Sequence, residues 1–180
     1  MNEILAYYQA IEDGSEVVGR WVRQWYKYIV NGLEQGLFFF SPKKAKAAIR
    51  FIEAFCRHHE RALAPNLIKL ELWQRALISV IFGVLDKDGN RQFREVFVVI
   101  GRKNGKTLLA AAISCYCAFL DGEYGGRIYF AAPKLKQAGL CYNAFFQMLD
   151  KDPSLSVLAK KRRSDIYIPE SNTTIEPLAF

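Results

Sequence analysis

Residues 101–107 read Gly-Arg-Lys-Asn-Gly-Lys-Thr, and these residue types together suit the holding of phosphate. Gly105 lets the backbone approach a ligand closely. Lys106 is a point charge able to reach β- and γ-phosphates, and Thr107 can offer its hydroxyl to Mg²⁺. Arg102 and Lys103 add positive charge beside the γ-phosphate position, where an arginine can act as a finger in cis. The general pattern for such a loop is Gly, four residues, Gly-Lys-Ser/Thr. Gly105-Lys106-Thr107 supplies the second half, but position 100 is Ile100, and Gly101 comes one residue late. Spacing alone therefore misses the pattern, and the flanking elements must decide.

Those flanks have the required character. Val96-Phe97-Val98-Val99-Ile100 is a continuous β-branched and aromatic run, which predicts a strand buried on both faces within Phe93 to Ile100. Leu108 to Leu120 predicts an apolar helix. N–H groups at the start of such a helix point at a bound phosphate, and its dipole favours the anion there. Gly125-Gly126 then turns the chain into a second strand, Arg127 to Ala132, and Lys134 to Leu149 predicts the next helix. Ile166–Ile168 and Thr173–Ile175 read as short strands joined by a turn at Pro169 to Asn172. Strand, glycine loop, helix, strand, helix is the order of a parallel α/β unit.

Upstream the chain reads as helical. From Glu16 to Leu33 the apolar positions Val18, Trp21, Val22, Trp25, Tyr28 and Ile29 recur at intervals of three and four. Gly32 and Gly36 weaken the end of that helix. Ser41-Pro42 starts another, with Ser as N-cap and Pro at the first position, and Ala45, Ala48, Ile49 and Ile52 with Phe55 or Cys56 mark its buried face. Ala64-Pro65-Asn66 is a break. Leu70 to Val84 predicts a further helix, and Asp86 to Asn90 a polar turn. The organisation expected is an N-terminal helical region, 1–63, followed by a phosphate-loop domain over 64–180.

The net charge of +7 and the pI near 9.3 suit an anionic partner such as nucleotide or nucleic acid. Lys160-Lys161-Arg162-Arg163, and more weakly Lys43, Lys44 and Lys46, are candidates for DNA phosphate contacts, although such runs are more often solvated. The cysteines Cys56, Cys115, Cys117 and Cys141 form no CxxC pair and read as reduced, mostly buried thiols. Cys56, His58 and His59 cluster too loosely for a metal site. Phe38, Phe39 and Phe40 read as anchors on a core. No apolar run reaches the length of a membrane span, and the N-terminus lacks a signal pattern, so a cytoplasmic protein is expected.

With these residues in view the chain resembles a known family, the large terminase subunit of tailed bacteriophages. Residues 102–107 are similar to the family's deviant Walker A, in which an arginine replaces the usual glycine-spaced start. Leu72-Trp73-Gln74 resembles its adenine-side glutamine motif, since an amide presents a donor and an acceptor in one plane. Tyr129 to Pro133 with Gln137-Ala138 resembles the strand and helix that follow Walker A. Val17 to Gly36, Gly36 to Phe39, Asp121 to Glu123 and Tyr167 to Leu178 fit as well. The resemblance implies a P-loop NTPase-type parallel sheet flanked by helices, incomplete here and preceded by the helical region. It implies ATP and Mg²⁺ as cofactors, held by Gln74, Arg102, Lys103, Asn104, Gly105, Lys106 and Thr107. Lys106 and Arg102 are then catalytic, and Thr107 is the Mg²⁺ contact. The implied partners are double-stranded DNA, the small terminase subunit, the portal and further copies of the motor, in the cytoplasm of a bacterial host.

A motor ATPase also needs an acidic pair after a buried strand, and no apolar run ending Asp-Glu occurs in the sequence. Phe119-Leu120-Asp121 and Met148-Leu149-Asp150 end helices and lack the adjacent Glu. The resemblance therefore covers the first part of the ATPase domain. Two other readings stay open: a helicase-like P-loop ATPase fragment, and a non-catalytic basic DNA-binding or scaffold module with a vestigial loop. Because Mg²⁺ and water lack two of their main ligands, the 180-residue chain is expected to bind nucleotide weakly without turning it over. Steady-state ATP hydrolysis by the purified chain that vanishes in Lys106→Ala would overturn this expectation.

Overall fold

The structure, a computed structural model, describes residues 2–180, with Arg61 described through its backbone. It divides into two compact units, one of residues 1–50 and 70–99, the other of residues 51–69 and 100–180.

The first unit is helical. It contains α1 (Glu3–Glu12), α2 (Arg20–Glu34), the start of α3 (Pro42–Phe55) and α4 (Leu72–Gly83). A short ladder pairs β1 (Phe39–Phe40) antiparallel with β2 (Val84–Leu85). Asn2 caps α1 through its side chain, and Ser41 starts α3 as expected, its Oγ accepting the Lys44 N–H at 3.4 Å. Ile4, Tyr7, Ile11, Tyr26, Ile29, Val30, Phe38, Ala76, Val80 and Val84 form one core. The buried face of α2 is thus Tyr26, Ile29 and Val30, a rotation from the expected stripe. Trp21 and Tyr28 are 71% and 52% exposed, and the Arg20 guanidinium lies over the Trp21 ring. So many aromatic residues line α2 that spacing alone admits two faces, and contact with α1 and Phe38 selects one.

The end of α2 explains both of its glycines. The Leu37 N–H bonds the Gly32 carbonyl at 2.8 Å and the Gly36 N–H bonds that of Leu33 at 3.3 Å, with Gly36 at φ 68°. This is a Schellman closure, which needs a left-handed residue at Gly36. Gly32 lies inside the helix for a different reason. A Cβ there would sit 2.1 Å from Cζ of the buried Phe38 ring.

The polar turn at Asp86–Asn90 is present. Asp86 Oδ1 accepts the N–H groups of Asp88 and Asn90, and Lys44 Nζ donates to the Gly89 carbonyl. The strand expected over 93–100 does not form. Phe93 packs against Trp25 and Phe38, but the residues after it have no ladder partner among the described residues. Phe97 and Val99 are 93% and 81% exposed. Composition gives a run its β-propensity, but only a hydrogen-bonded neighbour makes it a strand.

The second unit is a mixed α/β layer. It contains α5 (Lys106–Phe119), β3 (Arg127–Ala132), α6 (Leu135–Asp150), α7 (Pro153–Ser156), β4 (Lys160–Lys161), β5 (Ile166–Ile168) and β6 (Thr173–Ala179). The sheet order is β3-β6-β5-β4, with β3 and β6 parallel and the other pairs antiparallel. β6 is longer than expected because it is paired on both edges at its start and continues along β3 to Ala179. Pro177 is tolerated because β5 ends opposite Thr173–Ile175, leaving that edge of β6 open. α5 packs on α6, where Cys115 Sγ lies 3.8 Å from Met148 Sδ, and Ala111 and Ala112 of α5 are buried. Phe145 of α6 meets Phe130 of β3.

Gly32→Ala is expected to destabilise the protein by about 1–3 kcal/mol, because Phe38 must leave its rotamer to admit one methyl group. Chemical denaturation of the variant measures this, and an unchanged midpoint would show that Phe38 yields freely.

Candidate functional site

The chain from Ile100 to Lys106 makes a tight turn with two residues in the left-handed region, Lys103 at φ 69° and Gly105 at φ 72°. Glycine adopts this conformation freely, whereas a lysine held there stores strain, a feature concentrated at ligand-binding loops. At Gly101 a Cβ would lie 3.2 Å from Asn104 Nδ2, so the loop closes tightly on itself. Gly105 is the N-cap of α5 and provides no side-chain hydrogen bond to the first turn. The first N–H groups of α5 are therefore not capped by a side chain, and the positive end of the helix dipole faces outward. Arg102, Lys103, Asn104, Gly105 and Lys106 are exposed, and Thr107 is half-buried. The Thr107 hydroxyl neighbours the Cys141 thiol of α6. Burial pushes that thiol up from its usual range, and the hydroxyl partly offsets the effect.

An open pocket of about 390 Å³ lies against the loop, lined by Lys103, Gly105, Lys106, Thr107 and Leu108. Arg102 and Asn104 are not among the residues that line it. His58, His59 and Glu60, with Leu140 of α6, line the same pocket. Sequence reasoning weighed the two histidines only as metal ligands and missed their place beside the loop.

The segment carrying these histidines is held by several bonds. The His58 N–H bonds the Asn66 carbonyl at 2.9 Å, and the Ile68 N–H bonds that of Cys56 at 2.9 Å. Lys151 Nζ, at the end of α6, donates to the His59 carbonyl at 3.3 Å. Arg57 Nη2 meets Asp152 Oδ2 at 3.4 Å, and the other oxygen of that buried carboxylate caps α7 by accepting from Ser154 and Leu155. Burial and the neighbouring His59 hold the His58 imidazole below its ordinary range. His59 Nδ1 is buried without a hydrogen-bond partner among the described residues, and its Nε2 lies 3.6 Å from Glu60 Oε1.

Gln74 lies in the first unit, at the first turn of α4. Its Oε1 accepts the Glu71 N–H at 2.9 Å as half of a capping box. The basic run 160–163 is partly committed elsewhere. Lys161 Nζ sits 3.6 Å from the Phe146 ring centroid, and Arg162 pairs with Asp165 while lying over Tyr167. Those contacts brace β4 and β5.

The family model for the terminase large subunit, ATPase domain, matches residues 72–180. Among solved structures, the chain is similar to the crystal structure of the HK97 bacteriophage large terminase, with 22% identity and a TM-score of 0.65. That likeness covers 75% of this chain and 27% of the HK97 chain, and at this identity it shows a shared fold. No curated protein matches the sequence.

The same substitution at two glycines tests the loop geometry. Gly105→Ala is expected to cost about 1 kcal/mol because of the left-handed backbone. Gly139→Ala, inside α6 with open space where its Cβ would stand, is expected to stabilise by about 0.5–1 kcal/mol. Urea unfolding of both variants reads the two signs, and a neutral Gly105→Ala would count against a left-handed residue there.

Proposed function

The chain belongs to the terminase large subunit ATPase domain family, and from that premise we propose that its 101–107 loop binds Mg²⁺-ATP for a viral DNA-packaging motor. The observation that carries the reading is the start of α5: a helix with no side-chain cap, a left-handed turn before it, and Lys103 and Lys106 bordering a pocket. Backbone N–H groups there suit phosphate oxygens, and Gly105 keeps the approach clear. Lys106 is assigned to the β- and γ-phosphates, and Arg102, exposed at the rim, to the γ-phosphate. Lys103 and Asn104 complete the turn. Thr107 is assigned to Mg²⁺. Mg²⁺-ATP supplies a polarised phosphoryl group, and the chain's own part is to hold and orient it. Double-stranded DNA, the small subunit, the portal and further copies of the motor are the partners that this reading carries.

Binding of a non-hydrolysable ATP analogue tests the loop. Lys106→Ala removes one charge-assisted hydrogen bond to phosphate, a loss of about 1.5–3 kcal/mol, or about 10- to 100-fold in affinity. Equal affinities in calorimetry would remove the phosphate-binding claim.

A further inference from the structure

The pocket at the 101–107 loop is also lined by residues with no part in Walker-type chemistry, His58 and His59 among them. We propose that His58 and His59 contact the phosphates of a polyphosphate seated on residues 103–107, and that the His58 imidazole takes up a proton as it binds. The proposal rests on the nucleotide reading of the loop and adds the residues that share its pocket.

Three observations carry it. Both imidazoles line the same pocket as Lys103, Gly105, Lys106 and Thr107. Lysines and backbone amides are groups that recognise an anion, and a protonated imidazole is a further donor to one. The histidine segment is also fixed in place: Asp152 holds Arg57, Lys151 holds the His59 carbonyl, and the Asn66 carbonyl holds the His58 amide. Finally, His59 has a buried ring nitrogen without a hydrogen-bond partner among the described residues.

The charges around the imidazoles set the direction of the effect. Glu60 stands beside His59 on the same segment. Lys103 and Lys106 line the pocket from the loop, Lys151 approaches from α6, and the Arg57–Asp152 pair lies next to the segment. Burial and the neighbouring imidazole keep His58 below its usual range. A polyphosphate reverses that balance by placing several negative charges nearby, so the pKa is higher in the complex than in the free protein. The added affinity is then present below the pKa of the complex and is lost as pH rises through it, tenfold for each unit of difference.

The chain contains two histidines, His58 and His59, so the imidazole Cε1–H resonances in a proton NMR titration report on these residues alone. The ligand is inorganic tripolyphosphate, which has no base or ribose. The expected result is that at least the His58 midpoint rises by about one pH unit with saturating tripolyphosphate. Affinity should fall about tenfold from the acid to the alkaline side of that midpoint. The double variant His58→Gln, His59→Gln should keep Lys106-dependent binding but lose this part of the pH dependence. Comparing it with the parent removes the titration of tripolyphosphate itself, and the NMR arm needs no variant to fold. Lys106-dependent binding with both midpoints unmoved overturns the histidine proposal and leaves the loop reading standing. Midpoints that move with ATP but not with tripolyphosphate place the imidazoles on the base or ribose and also overturn it. Absence of any Lys106-dependent binding overturns both readings together.

Discussion

A helix cannot satisfy the N–H groups of its own first turn, and this protein's structure turns on how each helix start meets that constraint. Asn2 meets it for α1, Ser41 for α3, the Glu71–Gln74 box for α4 and Asp152 for α7. α5 begins on Gly105 with no side chain to cap it. α2 and α6 also start without side-chain caps, so an uncapped start does not by itself mark a site. At α5 it coincides with left-handed backbone at Lys103 and Gly105, two lysines and a pocket. Those exposed amides are open to water or to an external acceptor, and the surrounding lysines favour an anionic one.

Small residues allow the rest of the second unit to support that helix start. Cys115 of α5 meets Met148 of α6, the small residues Ala111, Ala112 and Ala144 of these helices are buried, and α6 lies on the sheet through Phe145. The far end of α6 carries Lys151 and leads directly into Asp152, which together fasten the segment bearing His58 and His59. One helix thus contributes Leu140 and Cys141 beside the loop and, at its other end, anchors for the histidine segment. The buried Asp152 carboxylate serves α7 and Arg57 together. Loss of either partner would leave a costly unpaired group, which suits a fixed segment.

Much of this was legible in the residues. Arg127–Ala132 forms a strand with the bounds its composition suggests. Ser41-Pro42 starts a helix because a hydroxyl cap and a preset φ act locally. Resemblance to terminase sequences led to the family that residues 72–180 match. Two readings failed for the same reason. The run Val96–Ile100 has the composition of a buried strand, yet it is exposed and unpaired among the described residues. The stripe chosen on α2 put Trp21 and Tyr28 inside, whereas Tyr26 and Val30 are buried. In each case residue type states a preference, and a partner from elsewhere in the chain decides whether it is met.

The sequence by itself determined the make-up of the 101–107 loop, because Gly105, Lys106 and Thr107 are adjacent and their geometry depends on local backbone and the start of one helix. Tertiary structure alone decided what shares that loop's pocket. His58 and His59 are more than forty positions away from Lys106 in the numbering, and no local pattern ties them to it. They line its pocket because a buried carboxylate and a lysine at the end of α6 hold their segment there. Local chemistry is set by neighbours in the chain, but a pocket is made by neighbours in space.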